Sequence, residues 1–141
     1  MKFNSLESVG MLMVRLGAMF KVEFHARLKP YDVTTEQWAL LYCLWKEDGV
    51  AQSALAECCN KDLPTVHRIL KKLLQKKLVK LRKSSKDGRV SFVFLTENGQ
   101  ALKAPLDELA CSLEAQIAGS FSDEELACLK RITLERIEFG E

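Results

Sequence analysis

Apolar positions recur at three- and four-residue steps along most of the chain. Leu6, Val9, Met13, Leu16, Phe20 and Phe24 trace one stripe and predict a helix from Leu6 to Leu28. Met11, Leu12, Met19 and Val22 add apolar surface off that stripe, and a helix apolar on more than one face needs more than one partner. Lys29-Pro30 should end it, because the residue before a proline disfavours helical backbone. Thr34-Thr35-Glu36-Gln37 matches a capping box that opens a second helix, with Trp38, Leu41, Tyr42 and Trp45 as its expected buried stripe and Asp48-Gly49 as its stop. A short third helix is expected from Gln52 to Cys59, with Leu55, Ala56 and Cys59 turned inward. Asn60-Lys61-Asp62 is a turn; Asp62 can cap a fourth helix, and Pro64 sits in its first turn, where a missing N–H costs little.

The fourth helix has the cleanest pattern. Val66, Ile69, Leu70, Leu73 and Leu74 form one apolar stripe, and the opposite face carries Thr65, His67, Arg68, Lys71, Lys72, Gln75 and Lys76. After Lys77 the period shortens to two. Leu78 to Lys83 and Arg89 to Leu95 predict the two strands of a hairpin, joined by the turn residues Ser84 to Gly88. Thr96 should cap the next helix, whose Leu102, Leu106, Leu109, Leu113 and Ile117 make a heptad-like seam broken at Gly119-Ser120. Ser122-Asp123-Glu124-Glu125 is a second capping box, followed by Leu126, Leu129, Ile132 and Ile137 on the last helix.

Charge changes the picture more than composition does. The formal net charge of the 141 residues is only +2. Between Asn60 and Val90, however, eleven basic residues face two acidic ones, a local excess of nine that leaves the rest of the chain at seven negative. A basic block on an otherwise acidic chain is the footprint of a polyanion-binding surface. The block coincides with the polar face of the fourth helix and with the hairpin tip, where Lys83, Lys86 and Arg89 surround Asp87-Gly88. A major groove admits such a helix. The competing reading is a solvated lysine-rich face.

The five cysteines, Cys43, Cys58, Cys59, Cys111 and Cys128, show no metal-ligand spacing and are expected to be reduced, mostly as small core residues. Glu7 and Arg15 interrupt any apolar leader, no apolar run reaches the length of a membrane span, and a cytoplasmic protein is expected. With no phosphate loop, His-Glu metal motif or nucleophile elbow, neither enzymatic activity nor a cofactor is expected.

The ordered set Leu55-Ala56, Pro64 to Leu73, Lys77-Leu78-Val79, Lys86-Asp87-Gly88-Arg89 and Leu95-Thr96-Glu97-Asn98-Gly99 resembles the MarR family of bacterial transcription regulators. The resemblance implies a mainly α fold with a small β-hairpin wing: a winged helix-turn-helix lobe over 34–95, and dimerisation helices at 1–30 and 96–141 of a single MarR-like domain. It implies a homodimer that binds duplex DNA at a pseudo-palindromic operator as a repressor. By resemblance, Pro64, Thr65, His67, Arg68, Lys71 and Lys72 face the major groove, and Lys83, Lys86, Asp87 and Arg89 form a wing in the flanking minor groove. Family wings usually carry Asp-x-Arg with a basic residue between; Gly88 replaces that residue here. Asp87 is expected to pair with Arg89 or a neighbouring basic residue and fix the arginine's direction.

Many relatives take small aromatic or anionic effectors between the dimer helices and the DNA lobes. Met11, Arg15, Met19, Trp38, Tyr42 and Trp45 are the candidate pocket, with Arg15 as anion partner, against the alternative of ordinary core and interface packing. Other relatives sense oxidants through a cysteine. Cys58 and Cys59 are the candidates, although Lys61 is the one obvious activating cation and structural thiols without a redox response are expected. A winged-helix module for protein interaction should lack the basic helix face and wing. RNA binding is the third class, against which the helix-plus-wing pattern argues.

Overall fold

A computed structural model describes residues 8–134. The chain divides into two compact units, residues 1–106 and 107–141. In the first unit, α1 (Val9–Leu28) starts at Ser8, whose side chain accepts from the Met11 N–H, and the expected stripe residue Leu6 lies outside the described residues. The α-helix ends at Leu28, but Lys29, before Pro30, keeps helical backbone (φ -53°, ψ -41°), and the chain tightens into a 3-10 turn (Lys29–Tyr31) that leads into Asp32 at φ 54°. The α2 helix (Thr35–Lys46) has the expected capping box: Thr34 Oγ1 accepts from the Gln37 N–H at 3.1 Å, and Gln37 Oε1 accepts from the Thr34 N–H at 3.2 Å. Its buried face differs from the expected one. Gln37, Leu40, Leu41, Cys43 and Leu44 are buried, Trp38 and Trp45 only half so, and Tyr42 is exposed. The helix is apolar nearly all round, and its leucines rather than its rings turn to the interior.

A two-residue strand, β1 (Val50–Ala51), precedes α3 (Gln52–Cys58), on which Leu55 and Ala56 are buried. The α4 helix (Leu63–Gln75) follows, then β2 (Val79–Lys83) and β3 (Ser91–Leu95). The sheet is antiparallel in the order β1-β3-β2, with Val50 opposite Val93 on one side and Leu81 opposite Val93 on the other. Strand β1 has no sequence signal, because two residues cannot show a period. Gly49 at φ 71° makes the turn into β1, and a Cβ there would lie 2.4 Å from Phe94 Cε1. The core is aliphatic: Leu28, Leu40, Leu41, Leu44, Leu55, Val66, Ile69, Leu73 and Val93 are at most 2% exposed.

Thr96 caps α5 (Glu97–Ala101), which gives way to α6 (Lys103–Ala118). The single helix expected here is therefore two. Pro105 has no N–H to donate to the Ala101 carbonyl, so the first segment ends there. On the expected seam, Leu106 and Leu113 are buried within the chain itself, while Leu102, Leu109 and Ile117 are half-buried.

In the second unit, α6 runs on to Ala118 and α7 (Asp123–Leu134) opens at the expected box: the Ser122 N–H donates to Glu125 Oε2 at 2.7 Å, and the Glu125 N–H to Ser122 Oγ at 3.2 Å. Ile137 lies outside the described residues. The cysteines depart from expectation. Cys111 and Cys128 are exposed, and Cys43 is bonded to Cys58 across α2 and α3, whose crossing brings the two Cα atoms within 6.2 Å.

Candidate nucleic-acid interface

The interface is built from α4. Asp62 Oδ1 accepts from the Thr65 N–H at 2.7 Å and caps the helix. That N–H, aided by Thr65's hydroxyl side chain, holds the Asp62 carboxyl below its ordinary value. Val66, Ile69, Leu70 and Leu73 are buried as the stripe requires, each worth roughly 1.5–3 kcal/mol against exposure. With that stripe inward, Pro64, His67, Arg68, Lys71, Lys72 and Gln75 face solvent, and Thr65 is half-buried.

Two of the basic residues expected on this face are engaged within the chain. Arg68 Nη2 lies 3.1 Å from Glu36 Oε2 in the first turn of α2, an ion pair that directs the guanidinium without burying it. Lys76 does not belong to the outward face. Its Nζ donates to the Asp32 carbonyl and to Gln37 Oε1 at 2.9 Å, and it pairs with Asp32 Oδ1 at 3.4 Å. It clamps the end of α4 to the start of α2. Long-range pairs of this kind leave no signal in local periodicity.

The wing is the β2–β3 hairpin. Lys83, Lys86, Asp87 and Arg89 are all exposed. Its tip is shaped by two side chains: Ser84 Oγ accepts from the Lys86 and Asp87 N–H groups at 3.2 and 3.3 Å, and Asp87 Oδ1 accepts from the Arg89 N–H at 2.9 Å. The backbone closes it through Ser84 N–H to Val90 O at 2.8 Å and Val90 N–H to Asp87 O at 3.1 Å. Asp87 thus bonds the backbone of Arg89, not its guanidinium. The expected side-chain pair is replaced by an Asx-type turn, in which a short carboxylate reaches an N–H two residues on. Arg82, missed in the sequence, stands 5.3 Å from the centre of the Phe94 ring and braces the hairpin stem.

The stem is fixed to the body at Gly99. A Cβ there would sit 2.1 Å from the Leu78 carbonyl oxygen, so only glycine lets α5 come this close to the start of β2. The Gly99 carbonyl accepts from Trp45 Nε1 at 3.1 Å, and Thr96 Oγ1 donates to the Lys77 carbonyl at 2.7 Å.

The candidate effector residues are only partly drawn together. Trp38 and Tyr42 stack at 5.1 Å between ring centres, Phe24 meets Trp38 edge-on at 4.9 Å, and Lys46 lies over Tyr42. Trp38 Nε1 is buried with no hydrogen-bond partner among the described residues. Trp45 is committed to Gly99, and Met11, Arg15 and Met19 stand exposed along α1. Of the candidate redox residues, Cys58 is in the disulfide. Cys59 donates its S–H to the Leu55 carbonyl at 2.9 Å, and burial pushes its thiol up despite nearby Lys61. A protonated thiol is a poor nucleophile. Among the described residues no group of three or more His, Cys, Asp or Glu is placed to hold a metal, and no helix is long and apolar enough to cross a membrane.

A helix, a turn and a second helix with a basic outer face, followed by a basic hairpin, define a winged helix-turn-helix protein. The model of the MarR family matches residues 31–90. An uncharacterized HTH-type transcriptional regulator of Bacillus subtilis, YwoH, is 27% identical over 99 residues, 70% of this chain and 72% of that protein. The S. aureus MepR–DNA complex superposes with a TM-score of 0.81 at 26% identity, over 87% of this chain and 91% of that one. A mutant MarR from E. coli complexed with operator DNA gives 0.85 at 22% identity, over 94% and 96% of the two chains, a likeness of fold. Over residues 31–90 the chain is similar to the MarR family, and its fold is that of the MarR-type winged-helix structures.

Proposed function

We propose that this protein is a sequence-specific regulator of transcription that binds duplex DNA as a homodimer. The observation that carries the reading is the exposed basic face of α4 beside an exposed basic wing, on a chain that is acidic elsewhere. Pro64, Thr65, His67 and Arg68, at the start of α4, are positioned to reach base edges, and Lys71 and Lys72 to reach phosphates. Lys83, Lys86 and Arg89 reach the flanking minor groove, whose focused negative potential favours a guanidinium. MepR, a relative of the same fold, is known in complex with DNA.

Dimerisation is supported by α1. Val9, Leu12, Val14, Met19 and Val22 are each at least half exposed, more apolar surface than a lone soluble chain leaves in contact with water. A symmetric second copy would cover it and set two α4 helices on a pseudo-palindromic operator. The same reading makes the protein a cytoplasmic repressor that acts by binding rather than catalysis. A small aromatic or anionic effector, seated against Trp38 and Tyr42 with Arg15 as its anion partner, would release it; the unpaired Trp38 Nε1 supports that seat.

Two measurements test the proposal. Light scattering at micromolar concentration should give about twice the 16.0 kDa chain mass. Fluorescence titration should show tighter binding to duplex DNA than to duplex RNA or single strands, with steep salt dependence. A monomer would overturn the palindromic operator, and a preference for RNA would overturn the assignment to DNA.

A further inference from the structure

The Cys43–Cys58 disulfide lies between the helix that frames the DNA-reading element and the helix that leads into it. Cys43, on α2, is only 6% exposed, whereas Cys58, the last residue of α3, is open to solvent. A cavity of about 180 Å³ adjoins the bond, lined by both cysteines with Lys46, Glu47, Ala54 and Leu55. Cys58 is thus the more accessible residue of the pair, and the cavity gives a small thiol a way to the bond.

Besides the disulfide, α3 is held by packing against α2, α4 and β1. It is seven residues long, its N-cap Ala51 offers no side-chain hydrogen bond, and Leu55 and Ala56 are its buried residues. So short a helix has no stability of its own and takes its position from tertiary ties. Its C-terminal end is bonded directly to the turn that starts α4: the Cys59 N–H donates to the Leu55 carbonyl at 3.0 Å, and the Lys61 N–H to the Ala56 carbonyl at 2.9 Å. Asp62, the cap of α4, is the next residue. Motion at the end of α3 is thus passed to the stretch that carries Thr65, His67 and Arg68.

We propose that Cys43 and Cys58 form a reversible dithiol–disulfide switch, in which the disulfide holds α3 and the start of α4 in the DNA-reading pose and its reduction loosens them. The inference rests on the DNA-binding function proposed above. The chemistry is thiol–disulfide exchange with a small-molecule thiol couple. A small thiolate attacks Cys58 Sγ, a mixed disulfide forms, and Cys43 leaves as a thiolate that takes a proton from water. A second small thiolate attacks the outer sulfur, releasing the small-molecule disulfide and the Cys58 thiolate, which is protonated in turn. Two electrons pass from two small thiols to the protein pair. The reverse sequence regenerates the bond. Cys59 takes no part, since its S–H is turned to the Leu55 carbonyl and its thiol is held protonated.

The test uses the full chain with exposed Cys111 and Cys128 replaced by Ser, poised in defined mixtures of reduced and oxidised glutathione, with thiols counted by mass after alkylation. Hydrogen exchange over residues 52–62 is read without DNA. Affinity is read by anisotropy on duplexes enriched from random sequence by the oxidised chain. The oxidised form should bind about fivefold tighter or more than the reduced form, a coupling at the lower end of the usual allosteric range. Exchange over 52–62 should rise on reduction. Cys58→Ser and Cys43→Ala should both match the reduced form and ignore the glutathione ratio, while Cys59→Ser keeps the full response. Equal or tighter DNA binding by the reduced chain overturns the proposal, as does a response that survives in Cys58→Ser. Failure to bind DNA in either state would overturn the functional reading and the output of the switch with it. Exchange unchanged by reduction would overturn the switch itself, whatever happens on DNA.

Discussion

Replacing Asp87 by Ala and by Asn separates shape from charge at the wing tip. Both changes remove a negative charge from a surface meant to meet phosphates, but only Asn keeps a side-chain oxygen able to accept from the Arg89 N–H, now 2.9 Å from Asp87 Oδ1. The charge effect is small. Two unit charges about 7 Å apart repel by about 0.6 kcal/mol in water, and screening over about 8 Å at physiological salt reduces that further. The shape effect is larger. Losing a turn hydrogen bond costs roughly 0.5–1.5 kcal/mol, and each backbone residue freed and then fixed again on DNA costs about 1–2 kcal/mol. The Ser84 bonds and the Val90 N–H remain to hold part of the tip, so only a fraction of that total is lost. Asp87→Ala should therefore weaken DNA binding by about 0.5–1 kcal/mol, roughly two- to fivefold, whereas Asp87→Asn should tighten it by up to about twofold. Neither should affect folding, because the tip is solvated. Anisotropy titrations of one duplex over a range of salt decide the matter. Arg89→Ala, run alongside, should make the salt slope shallower by about one unit if that side chain meets phosphate. The reasoning is refuted if Asp87→Ala binds more tightly than the parent, or if Ala and Asn behave alike.

Four further substitutions test the geometry. Arg68→Ala should cost about 1–3 kcal/mol on the preferred duplex and relax one position in each half-site; uniform weakening on all sequences would assign Arg68 to phosphates. Glu36→Ala should leave urea-measured stability within about 1 kcal/mol, since the pair is exposed, yet should lower discrimination while raising affinity for unrelated DNA; equal gains on both would make Glu36 a repulsive charge alone. Gly99→Ala forces a Cβ against the Leu78 carbonyl and should destabilise by about 1–3 kcal/mol in urea, so a change within error would contradict the close approach. Asp62 supplies the pH dependence. Its folded carboxyl lies below the ordinary value of about 3.9, so its cap acts fully above that range and is lost as pH falls through the lowered value. Asp62→Ala and the parent should then differ in thermal stability at neutral pH and converge in strong acid, and a constant difference across the range would dismiss the cap.

What the sequence shows plainly is what chemistry settles within four residues. The caps at Thr34, Asp62, Thr96 and Ser122 each join a side chain to an N–H three positions on, and all four form as expected. The α4 stripe is legible because one face is apolar and the other charged. The buried face of α2 is not, because Trp38, Tyr42 and Trp45 compete with Leu40, Leu41 and Leu44 around a helix with little polar surface, and only packing chooses between them. The break at Leu102 had a signal in Pro105 that the leucine seam concealed. Asp87 was rightly placed at the tip, but its partner was decided by the turn's backbone, which a charge pattern does not describe.

The contacts least legible in the sequence share one feature. Arg68 to Glu36, Lys76 to Gln37 and Lys76 to Asp32 span 32, 39 and 44 residues, and each runs from α4 to the start of α2. The Cys43–Cys58 bond adds a covalent tie from α2 to α3. Periodicity locates the basic face of α4, but it cannot say which of its cations are engaged inside the chain. Lys76 is held internally and Arg68 is shared, which leaves His67, Lys71 and Lys72 with no ion pair among the described residues. On the proposed function, the pose of α4 against DNA is accordingly set by α2 as much as by α4. Substitutions at Glu36 or Gln37, which lie off the basic face, should alter sequence preference and not merely stability.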